Sequence, residues 1–166
     1  MSFTKENTQI WIRNGIQKET IDAAFIAAWN FVYPKDKIQN LQTPLILDGN
    51  TIPYERLTEQ QKGILFSRNK GDSLTTSQIR IAFGEMRKIQ MNGFELSNFL
   101  MLKPKLAYAV KRHDKKGLNE FYKIFVWAYD SVNTNDTTVV GAQFDNFMKI
   151  MEALLAYHKF HGGKEN

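Results

Sequence analysis

The side chains best suited to engage a ligand in this sequence are cations, and they concentrate in two stretches. LTTSQIRIAFGEMRKI, residues 74 to 89, carries Arg80, Arg87 and Lys88. LKPKLAYAVKRHDKK, residues 102 to 116, carries Lys103, Lys105, Lys111, Arg112, Lys115 and Lys116 around Tyr108. Guanidinium and ammonium groups suit a phosphate backbone, because each phosphate they neutralise releases condensed counterions, and a tyrosine among them offers a stacking surface or a phosphate hydrogen bond. On helical geometry Arg80, Gly84 and Arg87 share a face, and Lys105, Tyr108 and Arg112 lie opposite Leu106, Ala109, Val110 and His113. Gly84 leaves a gap between two guanidinium groups that either a phosphate or a packed helix can enter. Tyr108 is equally readable as a core residue with its hydroxyl at the rim, and a basic patch of this size as solvated surface.

Other chemistries find less support. His158 and His161 stand three apart near the C-terminus, but no third ligand occurs at metal spacing, so neither a metal nor another cofactor is expected. His113 reads as a helix-end histidine favoured by the C-terminal dipole. Asp145 and Glu152 lie two turns apart, too far to share a proton, and no glycine-rich phosphate loop follows a strand. No catalytic residue is assignable, and the chain is not expected to be an enzyme.

The elements that must carry the cations are helices. Residues 19 to 33 repeat apolar side chains at Ile21, Ala24, Phe25, Ala28 and Val32 before Pro34 ends the run. Residues 35 to 54 lack that period and hold an Asp48-Gly49-Asn50 turn, which predicts a loop or small hairpin. A helix is expected from Thr58 to about Arg68. Thr75 and Gln78 then form a capping-box pattern at the head of a helix burying Ile79, Ala82, Phe83, Met86 and Ile89 and ending near Asn92-Gly93. Pro104 suits the first position of the next helix. Leu118 to Val132 is apolar around most of its circumference, so it is expected at the centre or at an interface. A last helix, Thr138 to Phe160, ends at Gly162-Gly163. The expected architecture is all-α, a single-domain bundle of about five to six helices over residues 1 to 166, with the irregular insertion at 35 to 54.

At 166 residues such a bundle has core enough without staples, and the absence of cysteine excludes a disulfide framework and thiol chemistry. No apolar run is long enough to span a membrane, so a soluble, cytoplasmic protein is expected. The formal net charge of +5 is unevenly placed: residues 68 to 123 hold twelve Lys/Arg against five Asp/Glu, and the rest of the chain is slightly acidic. Confined positive charge points to a polyanionic or acidic partner.

The order of a capped LTTSQIR helix with a following MRKI, then LKPKLAYAVKR, then an apolar helix and a long C-terminal helix resembles the small subunit of type III-A CRISPR–Cas effector complexes. The match is strongest over residues 74 to 112 and extends to about Phe160; residues 35 to 54 look like an insertion. The resemblance implies a non-catalytic helical protein of antiviral defence, present in several copies in a row along the backbone subunits and near the large subunit. It further implies contact with the sugar-phosphate of guide RNA and its paired target RNA, and self-association, including a possible homodimer when isolated. Carried over by position, the matching cations are Arg80, Arg87, Lys103, Lys105 and Arg112, with Lys111 as neighbour. An alternative is a protein-only assembly module whose basic face docks acidic partner subunits.

Overall fold

The computed structural model describes residues 2–32, 45–47, 49–52, 56, 58, 75–113 and 115–162. Among these stand six helices: α1 (Lys5–Asn14), α2 (Lys18–Val32), α3 (Thr76–Asn92), α4 (Leu96–His113), α5 (Lys116–Ser131) and α6 (Val140–Phe160). Between α2 and α3, β1 (Leu45–Leu47) and β2 (Asn50–Ile52) form an antiparallel hairpin pairing Leu45 with Ile52 and Leu47 with Asn50. Gly49 at its tip has φ +80°, a conformation that favours glycine. The expected helix from Thr58 to Arg68 lies outside the described residues apart from Thr58.

The helices stack in three layers. α1 and α2 pack on α5 and α6, and that pair carries the α3–α4 hairpin on its other side. α5 is central, as its all-round apolar character requires: Leu118, Phe121, Ile124, Phe125 and Ala128 are buried, and Tyr122, Val126, Trp127 and Tyr129 pack against the core. Phe99 of α4 joins the upper two layers, its ring 4.8 Å from Tyr129 and within 6 Å of Phe144 and Phe147. Aromatic pairs at such separations contribute about 0.5–1.5 kcal/mol beyond area burial. Among the described residues no helix is long and apolar enough to cross a membrane.

Three details depart from the sequence reading. α1 has no counterpart in it: Thr4 caps this short helix by accepting from the Asn7 amide, Trp11 and Ile12 are buried, and Asn146 of α6 ties it down by donating to the Ile12 carbonyl. α2 is rotated from its expected face. Ala23, Ala24, Ala27, Ala28, Phe31 and Val32 are buried while Ile21 and Phe25 stay exposed, because a row of alanines allows α6 to approach more closely than larger side chains would. α4 begins eight residues before Pro104 and runs straight through it. A mid-helix proline leaves the carbonyl four residues back without its amide donor; here the Tyr129 hydroxyl of α5 donates to the Leu100 carbonyl at 3.2 Å.

Candidate nucleic-acid interface

The α3–α4 hairpin carries most of the candidate cations, and local signals fix it at both ends. Thr75 accepts from the Gln78 amide at 3.2 Å while the Gln78 side chain accepts from the Thr75 amide at 3.0 Å, completing the capping box. Gly93, with φ +90°, ends α3. The Glu95 carboxylate then accepts from Ser97 and Asn98, starting α4 at once. The two helices run antiparallel, so the start of α3 lies beside the end of α4, and Gln78 and His113 line the same groove.

That groove, about 210 Å³, is floored by Ala82, Met86, Leu102 and Leu106, with Ile81 at its mouth 72% exposed. An acidic residue stands at its middle. Lys105 donates to the Glu85 carboxylate at 3.2 Å, and Lys88 approaches the same group at 3.6 Å. The Lys105 hydrogen bond, reinforced by the charges of Lys105 and Lys88, holds the Glu85 carboxyl below the ordinary glutamate range. Lys105 and Lys88 are thus partly engaged within the chain.

The remaining candidates separate into three further places. At the open end of the hairpin, Lys111 and Arg112 are exposed at the close of α4, and Lys115 and Lys116 follow, half-buried, at the start of α5. The α4 dipole favours cations there as well. On α3, Arg80 and Arg87 are exposed on the flank about 150° around from Glu85, turned away from α4. Arg87 lies over the Phe83 ring at 5.3 Å. Between them Gly84 is exposed, and among the described residues no heavy atom lies within 4 Å of where its Cβ would stand. Lys103 turns toward α5, 3.7 Å from Asp130 and 5.6 Å from the Tyr129 ring.

Tyr108 is 69% exposed and therefore not a core residue, and Arg112 is exposed as well, whereas Lys105 lines the groove with Leu106, Ala109 and His113, the residues the sequence reading set it opposite. Sequence reasoning missed Glu85, although its spacing from Lys88 was readable, and it missed the exposed Ile81 and Met101, 72% and 50% accessible. Of the two C-terminal histidines, His158 is buried in α6, and His161 Nε2 lies 2.8 Å from the Phe25 carbonyl. Among the described residues no group of three His, Cys, Asp or Glu side chains is placed to hold a metal.

A family model described as Csm2 Type III-A matches residues 53–164, about two thirds of the chain. No curated protein and no solved structure matches. The match covers both cation-bearing stretches and α3 to α6, and it leaves α1, α2 and the β-hairpin outside. By that match the chain belongs to the Csm2 family, the small subunits of type III-A CRISPR–Cas effector complexes.

Proposed function

We propose that the protein is a non-catalytic subunit that packs in several copies along the backbone of its effector complex in the cytoplasm, in antiviral defence. There it grips the guide RNA and its paired target through sugar and phosphate. The observation that carries this reading is the collection of Lys111, Arg112, Lys115 and Lys116 at the open end of the α3–α4 hairpin, with exposed Arg80 in the second turn of α3 on the flank away from α4. Side chains fanned over two helix ends suit successive phosphates and have no array of base-reading amides, so sequence is left to base pairing.

A second reading applies to the groove itself. Its apolar floor, the exposed Ile81 and the Lys105–Glu85 pair favour a protein surface over a phosphate, which gains nothing from an apolar pit. Docking of acidic partner chains is therefore assigned to the groove and RNA to the hairpin end. Replacing Arg80, Lys111 and Arg112 together by alanine tests the RNA reading in the reconstituted complex. The expected result is weakened RNA binding by the same factor on unrelated guide sequences; unchanged affinity would remove these residues from the role.

A further inference from the structure

The sequence contains two Asn-Gly pairs, Asn14-Gly15 and Asn92-Gly93, and each closes a helix. A glycine has no Cβ to keep its amide nitrogen from the side chain before it, so asparagine followed by glycine is the pair most prone to react with its own backbone. We infer that the fold protects the first pair and exposes the second to spontaneous deamidation, which makes the turn between α3 and α4 a covalent modification site.

The two pairs differ in what their glycine amides do. Gly15 donates to the Trp11 carbonyl at 3.0 Å, and Trp11 is buried with its ring 5.2 Å from Phe3. Asn146 of α6 holds the neighbouring Ile12 carbonyl. Freeing the Gly15 amide therefore means pulling the end of α1 away from the core. Asn92 and Gly93 are both exposed, and among the described residues the amides of Gly93, Phe94 and Glu95 donate no hydrogen bond and the Asn92 side chain makes none. The last carbonyls of α3 thus gain no donor from the turn, and rotation about the Asn92 Cα–C bond, which brings the Gly93 nitrogen to the side chain, breaks no hydrogen bond there. Phe94 anchors the far side of the turn, its ring 5.5 Å from Phe99 and 5.4 Å from Phe144, so the adjustment falls on the exposed pair.

The reaction needs water as its co-reactant and no other. The Gly93 amide gives its proton to solvent base, and its nitrogen bonds to the side-chain carbonyl carbon of Asn92. The bond from that carbon to the side-chain nitrogen breaks, and ammonia leaves. Water then opens the cyclic imide at either carbonyl. One opening gives aspartate; the other gives isoaspartate, whose main chain runs through the former side chain and is longer by a methylene. Both products put a carboxylate at the C-terminal end of α3, where the helix dipole disfavours an anion. No basic residue stands in that last turn to offset it, and Lys88, one turn earlier, is already engaged by Glu85. The longer link also changes the turn that sets α3 against α4, and with it the groove between them.

The test follows both asparagines in the full-length chain, incubated at neutral and mildly alkaline pH, folded and in denaturant, by peptide mapping with fragmentation mass spectrometry. In denaturant the two should convert at comparable rates. In the folded chain Asn14 should slow many-fold, while Asn92 continues to convert, faster at higher pH, to aspartate and isoaspartate. Asn92→Gln should remove the acidic species that ion exchange resolves from the aged folded chain, because the longer side chain closes a ring less readily. The converted chain should also melt below Asn92→Gln treated in the same way. No conversion at Asn92 in the folded chain, or equal conversion of Asn14 there, overturns the site; an unchanged thermal midpoint after conversion overturns its effect on the hairpin.

Discussion

Tyr129 does unusual duty for a half-buried aromatic residue. Its ring stacks on Phe99, Lys103 lies over its face, and its hydroxyl supplies the donor that Pro104 denies to the Leu100 carbonyl. Burial, followed by the charge of Asp130, pushes its hydroxyl pKa up, which keeps the donor protonated. Tyr129→Phe keeps the ring and removes only that donor, so a loss of about 1 kcal/mol is expected in chemical denaturation. Glu85 makes the corresponding prediction for pH. Its folded pKa lies below its unfolded value, so its stabilising contribution is complete above the unfolded value and disappears as pH falls through the lowered folded one. An NMR titration of the Glu85 carboxyl should show that depression, and Lys105→Ala should return it toward the ordinary range. At this scale helical spacing disclosed that Tyr108 and Arg112 stand on the exposed side of α4, but not that Lys105 lines the groove. It did not disclose the Glu85–Lys105 or Lys103–Asp130 pairs, because both cross between helices whose docking sequence spacing does not encode.

Helix termini were the most legible elements. The Thr75–Gln78 capping box and the Gly93 stop act through groups only a few residues apart, so local sequence sufficed to bound α3. The start of α4 was not legible in the same way. A proline usually marks a helix head, and what allows α4 to pass through Pro104 is a hydroxyl on a helix 25 residues further along the chain. The face of α2 also depended on its partner, since the alanine row becomes a packing surface only where α6 comes close. Gly84 provides the test at this scale. Its backbone is helical and among the described residues nothing crowds it, so Gly84→Ala should stabilise the fold by up to about 1 kcal/mol, seen as a raised thermal midpoint. A loss of stability instead would mean that the flank between Arg80 and Arg87 is packed.

Over the whole molecule, the three layers place a basic hairpin end, an apolar groove and the α2 face on separate parts of one bundle. The all-α class and the central position of α5 followed from apolar periodicity, and the family assignment agrees with the motifs that first suggested it. The division of the cations did not follow from sequence: antiparallel docking turns Arg80 and Arg87 to one flank, Lys103 to another and Lys105 into the groove. The central claim is that the hairpin end meets phosphate. It is tested most directly by the salt dependence of RNA binding in the reconstituted complex, comparing the wild-type chain with the alanine replacement of Arg80, Lys111 and Arg112. Every phosphate that the substitutions leave without its cation should flatten the plot of log affinity against log salt by about 0.7 to 0.9. A slope that drops by that amount or more per copy supports the account, and a slope unchanged by all three substitutions contradicts it.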